Sequence, residues 1–308
     1  MSFSADVKQE LCTHITEKNC CAAAFCYGAA CFSHIFSVQR LEFHTESKEL
    51  AQYLRTMFHT QGVTLLAEPY WVHGHDKLSL HTGENGAEQL DVFLKRLRLS
   101  PQRLGEENVS RVLRCDGCTG AYLAGAFLCG GTIADPQREY HVEFVSQRPE
   151  KLRELASVLS AQGAQPRLTR KNANEVLYLR ASEQIEDLLA CMGAGRFAME
   201  IMNEKIFKNY RNQANRVTNC ETANIDKTVA ANQAVILAVE KLRQAGVLDT
   251  LPLPLRQAAA ARLEQPDVSL AELAAGMQPP VSKSGLAHRM KKLLDTAAAL
   301  DEKRPAQP

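Results

Sequence analysis

Two pairs of cysteines and one run of basic residues are the parts of the sequence whose residue types suggest chemistry. Cys20 and Cys21 are adjacent, and Cys115 and Cys118 have the spacing C-x-x-C. A structural zinc site takes four ligands, so a joint site is one interpretation of the two pairs. Free cysteines also pack as small hydrophobic residues, and we expect that role here, with no bound metal. The basic run, Ser282–Leu294, carries cations that suit the phosphates of a nucleic acid.

Length and composition indicate a folded protein of two or three units. The chain has 308 residues, of which 45% are hydrophobic and 23% charged, values typical of globular proteins. Its longest apolar stretch, Cys20–Phe32, is shorter than the roughly 20 residues that span a bilayer. The first eleven residues lack the basic and apolar regions of a secretory signal. We therefore expect a cytoplasmic protein whose ten cysteines are reduced thiols.

The net charge of +1 hides an asymmetry along the chain. Residues 1–110 contain ten lysines and arginines against thirteen acidic residues, and residues 111–308 contain twenty-six against twenty-two. A uniformly basic surface is therefore excluded, but a local patch is not. Two clusters stand out, 203–216 and 282–294, and the second contains no acidic residue.

The first two-thirds of the chain contains an internal repeat, in which one order of predicted elements occurs twice. Each copy has a small-residue helix, strands, a helix with spaced apolar residues, further strands and a last helix. The first copy is marked by CCAAAFCYGAACF (20–32), LEF (41–43), Leu50 with Leu54 and Phe58, KLSL (77–80) and segment 88–91. The second copy is marked by AYLAGAFLCGG (121–131), VEF (142–144), Leu152 with Leu155 and Leu159, VLYL (176–179) and segment 183–186. Five steps recur in order at offsets of 95 to 101 residues, which predicts two halves related by a pseudo-twofold axis.

The opening helix of each half is rich in small residues. Gly28–Ala30 and Ala124–Ala126 would let two helix backbones approach closely at the pseudo-twofold axis. An ordinary alanine-rich core helix is the alternative. Because the segment is duplicated, we favour a helix–helix seam between the halves.

The segment LAGAFLCGG (123–131) resembles the LAGLIDADG motif of homing endonucleases. That resemblance implies that two such helices form the domain seam and that an acidic residue at the end of each binds the catalytic divalent metal. In this sequence the acidic position is Gly130, and its counterpart in the first half lies near Ser33, with no acid between Ala22 and Val38. Asp135 belongs to a turn signal instead. We therefore predict no catalytic residue, no cofactor and no nuclease activity.

The last third of the chain predicts a helical arm and then three short helices. The arm includes a helix over 228–242 with apolar residues on one face, at 229, 235, 236, 239 and 242. It ends at Leu251–Pro254, because each proline displaces the preceding residue from helical geometry. Leu255–Leu263 forms the next helix, Asp267 or Ser269 caps the second, and Ser282 caps the third. Inward-facing residues of the last two helices are Leu270, Leu273, Met277, Leu286, Met290 and Leu293. This is the layout of a helix-turn-helix, with a generic three-helix bundle as the alternative.

The outer face of the third helix carries the residues that we expect to contact DNA. Its N-terminal half would meet base edges while flanking cations meet phosphates, here Lys291 and Lys292. The predicted DNA-binding set is Ser269, Lys283, Ser284, Gly285, His288, Arg289, Lys291 and Lys292. Secondary phosphate contacts are predicted for Arg167, Arg170, Lys171, Arg211 and Arg216, for which a solvated surface is the alternative.

Several short strings occur together along the chain. They are SFS (2–4), Cys20–Cys21, GAFL (125–128), Tyr140–His141, Asn215–Arg216, residues 219–224, and SKSG (282–285) with His288–Arg289. Together they resemble the WhiA family, transcriptional regulators of Gram-positive bacteria, over nearly the whole chain. The resemblance implies a degenerate LAGLIDADG domain joined by a helical linker to a helix-turn-helix that binds double-stranded promoter DNA. It also implies a role in sporulation or in cell division and chromosome segregation.

The predicted fold is α+β: a pseudo-twofold duplicated LAGLIDADG-like αββαββα domain, a helical linker and a C-terminal all-α helix-turn-helix module. The predicted boundaries are 1–110 and 111–200 for the two halves, 201–247 for the linker, 248–302 for the DNA-binding domain and 303–308 for a disordered tail. We expect a sequence-specific DNA-binding regulator in the cytoplasm, associated with the nucleoid. The alternatives are an active LAGLIDADG endonuclease and a scaffold that docks a protein partner on the duplicated domain.

Three histidines form a further candidate metal site. Alternation along a strand would place His73, His75 and His81 on one face. No carboxylate is expected to orient them, so an exposed sheet face is the favoured interpretation.

Overall fold

The structure, a computed structural model, describes residues 2–14, 18–72, 74–100, 104, 109–171 and 174–302. The chain forms two compact units, Met1–Lys208 and Asn209–Pro308. Among the described residues, no helix is both long and apolar enough to cross a membrane. The predicted tail, 303–308, lies outside the described residues.

The first half of the N-terminal unit packs helices against a four-stranded antiparallel sheet. Its elements are α1 (Phe3–Leu11), α2 (Asn19–Cys31), β1 (Ile35–Phe36), β2 (Leu41–Thr45), α3 (Lys48–Thr60), β3 (Leu65–Val72), β4 (His75–Thr82), α4 (Gly86–Arg96) and α5 (Val109–Val112). The strand order is β1-β2-β4-β3, and the central register pairs Phe43 with Leu80. Helix α3 begins where the Ser47 hydroxyl accepts a hydrogen bond from the backbone N–H of Leu50, a standard N-cap.

The second half repeats this arrangement. Its elements are α6 (Asp116–Gly130), β5 (Gly131–Ile133), β6 (Val142–Val145), α7 (Pro149–Ala161), β7 (Arg167–Lys171), β8 (Asn174–Leu179) and α8 (Ser182–Met192). The strand order β5-β6-β8-β7 is that of the first sheet, and Phe144 pairs with Leu177 as Phe43 pairs with Leu80. The predicted duplication, with its helix–strand–strand order, is therefore confirmed.

The two halves meet where α2 crosses α6, as the small residues predicted. A side chain at Gly28 would collide with the backbone carbonyl of Tyr122, and one at Gly125 would collide with the carbonyl of Phe25. A Cβ atom at Gly125 would also lie 2.8 Å from the backbone nitrogen of Ala29, closer than real Cβ contacts. Each helix is thus in backbone contact with the other, and glycine is required on both sides.

A buried ion pair joins this seam to α7. Lys151 and Glu154 are each 1% exposed, and the Lys151 Nζ lies 3.0 Å from Glu154 Oε2 and 3.0 Å from the hydroxyl oxygen of Tyr27 on α2. Desolvation offsets most of the attraction in such a pair, so its net contribution to stability is small. Losing one partner, however, would leave a buried charge unpaired, which is costly. The pair therefore holds α7 in one position against α2.

The C-terminal unit contains helices and connecting loops, with no strand among its described residues. Helix α9 (Gly195–Gln244) begins in the N-terminal unit, and a 3-10 turn (Leu248–Thr250), α10 (Leu253–Glu264), α11 (Leu270–Gly276) and α12 (Lys283–Glu302) follow. Residues 219–224, whose side chains favour caps and turns, are helical without a break. Val235, Val239 and Leu242 of α9 join the core of this unit.

Several sequence predictions differ from the structure in detail. Val229 was expected on the inner face of its helix but is 57% exposed, because the packed part of α9 in this unit begins only near Asn232. Strand β3 belongs to the predicted αββαββα topology, but no sequence pattern located its residues. It lies at the edge of the first sheet, contains Pro69 and is exposed along most of its length, so it lacks the alternation of a half-buried strand.

Replacing Gly125 by alanine is expected to destabilise the N-terminal unit. The new methyl group must push two helix backbones apart, which typically costs about 1–3 kcal/mol and outweighs the gain of about 1 kcal/mol in helix propensity. Urea denaturation followed by circular dichroism measures the change. Gly195→Ala is the matched control, because nothing lies within 4 Å of a Cβ atom at that position. Equal denaturation midpoints for the two variants would contradict the backbone contact.

Candidate nucleic-acid interface

Helix α11 begins at a capping box. The Ser269 hydroxyl accepts a hydrogen bond from the backbone N–H of Glu272, and the Glu272 carboxylate accepts one from the N–H of Ser269. These two bonds satisfy donors that a helix start leaves free, and the hydrogen bonds lower the pKa of Glu272 below its usual value. Leu273 and Met277 are buried beneath this helix, as predicted.

The connection between α10 and α11 is held by two side chains, one from the end of α10 and one from α9. Arg262, only 1% exposed, donates from Nη1 to the carbonyl oxygens of Gln265 at 3.1 Å, Pro266 at 3.3 Å and Val268 at 2.8 Å.

Asn232 of α9 reaches the same loop. Its Nδ2 donates to the carbonyl oxygen of Pro266 at 3.1 Å. Buried donors without partners are costly, and Arg262 and Asn232 are both buried, so these bonds set the path of the loop and hence the position of α11. Sequence reasoning missed both residues. The available signal was an arginine within an otherwise small and apolar stretch, AAAARL (258–263).

Helix α12 has one buried and one exposed face. Ser282 caps it, accepting a hydrogen bond from the N–H of Gly285 at 3.1 Å, as predicted. Its buried residues are Leu286, Met290, Leu293 and Ala297. Its exposed residues before Asp295 are Lys283, Ser284, His288, Lys291 and Lys292. The helix therefore presents a polar, basic surface directly opposite the face that anchors it.

The remaining members of the predicted DNA-binding set have local roles in the structure. Gly285 and Arg289 are half-buried at the edges of the exposed face, and the N–H of Gly285 belongs to the N-cap. Ser269 caps α11. None of the ion pairs found among the described residues involves the cations of α12, so these charges face solvent.

The predicted secondary contacts are exposed. Arg167, Arg170 and Lys171 lie on β7, an edge strand with every residue exposed, and the Lys171 Nζ is 3.5 Å from Glu143 Oε2. Arg211 and Arg216 lie on α9 and are exposed as well.

The seam helices end beside a cleft of about 1050 Å³ in the N-terminal unit. At this end of α6 a Cβ atom on Gly130 would lie 2.5 Å from the Phe32 ring and 2.7 Å from the carbonyl oxygen of Val145, so an acidic side chain does not fit. Ser33, its counterpart, donates its hydroxyl to the carbonyl oxygen of Ala30 at 2.7 Å. The catalytic metal of a LAGLIDADG nuclease does not fit these residues.

A lysine occupies part of this end of the unit. The Nζ of Lys8, on α1, donates to the carbonyl oxygen of Leu128 at 3.2 Å, and burial lowers the pKa of this lysine. A cation next to the last carbonyls of a helix is favourable because the helix dipole is negative there. The two carboxylates that line the cleft have other partners: Glu46 pairs with Lys77 at 3.2 Å, and Glu49 accepts a hydrogen bond from Ser47 at 2.9 Å.

The structure brings the four cysteines of the two pairs together. The side chains of Cys20, Cys21, Cys115 and Cys118 form the one cluster of possible metal ligands found among the described residues. Hydrogen bonds with the thiols of Cys21, Cys118 and Cys20 lower the pKa of Cys115 to about 7.

The histidines of the candidate metal site are not brought together among the described residues. His73 lies outside the described residues, and His75 and His81 are at opposite ends of β4. The expectation that no carboxylate orients them is wrong for His81, whose Nε2 lies 3.4 Å from Glu68 Oε1 on the neighbouring strand.

Comparisons with known proteins identify the family. Residues 119–211 match the family model "WhiA LAGLIDADG-like domain", and residues 214–297 match "WhiA C-terminal HTH domain". The "Probable cell division protein WhiA" of Clostridium botulinum is 30% identical over 98% of this chain and 99% of its own length. The chain belongs to the WhiA family. A WhiA of the same description from Desulfitobacterium hafniense is 33% identical over 98% of this chain and 97% of its own length.

The fold agrees with a solved WhiA structure. The crystal structure of full-length WhiA from Thermotoga maritima covers 97% of this chain and 99% of its own chain, with a TM-score of 0.60 and 20% identity. This likeness concerns the fold alone. The WhiA helix-turn-helix match contains α10, α11 and most of α12, so the exposed face of α12 lies within it.

Replacing Arg262 by methionine is expected to destabilise the C-terminal unit. The carbonyl oxygens of the α10–α11 loop would lose a charged donor, which costs about 2–3 kcal/mol. Hydrogen exchange of peptides from α10 and α11 measures the effect locally. Arg256→Met, an exposed position on the same helix, is the control and should exchange like the parent chain. Unaltered exchange in Arg262→Met would show that the loop does not depend on this side chain.

Proposed function

We propose that this WhiA family member is a sequence-specific DNA-binding regulator that does not cleave DNA. The observation that carries the proposal is the basic, polar face of α12, which is free of ion pairs in the described residues while its opposite face is buried. The major groove of B-DNA is about 12 Å wide and admits one helix. Helix α12 is the second helix of the helix-turn-helix pair and is the element expected to enter it.

The roles of individual residues follow from their positions on this helix. Lys283, Ser284 and His288 lie on the first two turns of the exposed face, where recognition helices meet base edges. Arg289, at the edge of that face, has a fork of donors that suits guanine O6 and N7. Lys291 and Lys292 lie one turn later and suit phosphates.

Ser269 and Gly285 act more locally. The Ser269 hydroxyl oxygen accepts the hydrogen bond that caps α11, and its proton is still available. It can therefore donate to a phosphate oxygen at the start of α11. The backbone at Gly285 approaches the DNA closely because it carries no side chain.

Binding at promoters would make the protein a transcription regulator in the cytoplasm, associated with the nucleoid. The names of its relatives refer to cell division, and we infer that this chain regulates genes of cell division and chromosome segregation, or of sporulation in bacteria that sporulate. Mapping the bound sites across the genome of the source organism tests this. Sites concentrated upstream of such genes would support it, and a distribution unrelated to promoters would contradict it.

For the N-terminal unit we propose support of DNA binding rather than catalysis. In this unit Arg167, Arg170 and Lys171 on the exposed strand β7 suit secondary phosphate contacts, and Arg211 and Arg216 on the part of α9 in the C-terminal unit suit them as well. We also propose that the N-terminal unit binds a protein partner. The proposed boundaries remain 1–110, 111–200, 201–247 and 248–302.

The double variant Lys283→Ala/Arg289→Ala is expected to abolish sequence-specific binding. Each lost base contact costs about 1–3 kcal/mol of discrimination, so the affinity for a mapped site should fall to that for random DNA. Fluorescence anisotropy with a mapped fragment and a scrambled duplex, at one salt concentration, measures the ratio. Arg243→Ala/Arg256→Ala removes the same charge from exposed positions outside α12 and is the control.

The variant Lys291→Ala/Lys292→Ala provides the complementary case. It should weaken binding to both duplexes equally and reduce the slope of affinity against salt concentration by about 2, since each phosphate contact contributes about one. Retention of full specificity by Lys283→Ala/Arg289→Ala, with circular dichroism unchanged, would exclude α12 as the recognition helix.

Incubation with Mg²⁺ or Mn²⁺ is expected to leave supercoiled and linear DNA intact. The ends of the seam helices carry Ser33 and Gly130 in place of metal-binding carboxylates, and the crowding at Gly130 leaves no room for one. Gel electrophoresis of a plasmid that contains a mapped site measures cleavage. A single specific cut would refute the proposal for this unit.

A further inference from the structure

Four thiols from the two halves of the N-terminal unit meet at the start of the seam. Cys20 and Cys21 lie in the first turn of α2, Cys115 is the N-cap of α6, and Cys118 lies in the first turn of α6. Cys21 and Cys118 are buried, and Cys20 and Cys115 are half-buried. The two pairs are 95 residues apart in the chain, so the site exists only when both halves are folded together.

The spacing of the sulfur atoms matches one tetrahedral ion. The Sγ of Cys115 lies 3.6 Å from that of Cys20, 3.5 Å from that of Cys21 and 3.6 Å from that of Cys118. The Sγ atoms of Cys21 and Cys118 are 3.9 Å apart, and all four lie within 4.8 Å of one another. A Zn–S bond of about 2.3 Å gives a tetrahedron whose sulfur–sulfur edge is about 3.8 Å.

Other arrangements of four thiols fit this spacing less well. A disulfide needs sulfur atoms about 2.05 Å apart, and all the separations here are far longer. A cluster of several irons spreads its thiolates over different metal atoms, so they would be more widely separated than the thiolates around a single ion.

The surroundings of the thiols also suit a bound cation. A Cβ atom on Gly117 would lie 3.2 Å from the Sγ of Cys21, so the glycine inside C-D-G-C gives the thiol of the other half room to approach. The N-termini of α2 and α6 both point at the cluster, and their partial positive charges offset the excess negative charge of four thiolates around a divalent ion.

We propose that Cys20, Cys21, Cys115 and Cys118 bind one zinc ion that fastens the N-terminal ends of the two seam helices together. Four protein ligands close the coordination sphere, so the ion is structural and has no open position for a substrate. Thiolates are the ligand type that selects zinc over magnesium or calcium. The site does not depend on the proposed DNA binding, because it lies at the opposite end of the seam helices from the cleft.

The metal content of the full-length chain, purified under reducing conditions, tests the proposal. Inductively coupled plasma mass spectrometry should find about one zinc ion per chain. X-ray absorption spectroscopy should find four sulfur ligands at about 2.3 Å from the zinc. Cys115→Ser/Cys118→Ser should lose the zinc, whereas Cys191→Ser/Cys220→Ser, at two exposed cysteines outside the cluster, should keep it. A single iron in place of zinc would overturn the assignment of the ion.

A second measurement on the unaltered chain covers the case in which the serine variant does not fold. Chain stripped of metal with a chelator and then given Co²⁺ should develop the visible bands and thiolate charge-transfer band of tetrahedral cobalt, and Zn²⁺ should abolish them. Its melting temperature should rise when Zn²⁺ is returned. A reduced, folded chain that binds neither ion, with four freely titrated thiols in the cluster, would refute the proposal.

Discussion

The backbone contact between α2 and α6 is the constraint on which the N-terminal unit depends. Gly28 and Gly125 are each pressed against a carbonyl of the opposite helix, so no other residue type is tolerated without separating the helices. Each helix is also buried nearly all round, which explains why neither has a polar face. Because the helices are in contact along their length, whatever lies at one end of the seam is brought together with its counterpart.

The two ends of the seam consequently bring different chemical groups together. At the C-terminal end, Gly130 is crowded by Phe32 and Val145, and Lys8 binds the carbonyl of Leu128. An acidic residue there would need the neighbouring side chains to be rebuilt, so the loss of the nuclease motif is a change in packing as well as in residue type. At the N-terminal end the same closeness gathers four thiols within reach of one ion.

The sequence was sufficient to predict the repeated topology, since hydrophobic periodicity and the order of elements recur in both halves. It was not sufficient for features that depend on how elements rotate against one another. The sequence offered a joint site of Cys20, Cys21, Cys115 and Cys118 as one interpretation, but only the contact between α2 and α6 shows that their thiols meet at one point.

Long-range polar contacts escaped prediction for the same reason. Asn232 reaches the α10–α11 loop from α9, and Glu68 meets His81 across a strand pair that the sequence pattern did not reveal. Exposure was also hard to predict for Val229, because helical periodicity identifies a face without indicating how much of it is covered.

The C-terminal unit illustrates why the net charge of a chain says little about its local basic surfaces. A recognition helix binds through the few side chains that are used neither in core packing nor in helix capping. In this unit the guanidinium group of Arg262 is buried and bonded to the α10–α11 loop. The exposed face of α12 instead carries Lys283, His288, Lys291 and Lys292. Because buried Leu286, Met290 and Leu293 fix the rotation of that helix, the direction of the free face is set by the core. The direction in which the proposed interface faces therefore depends on apolar residues of the core.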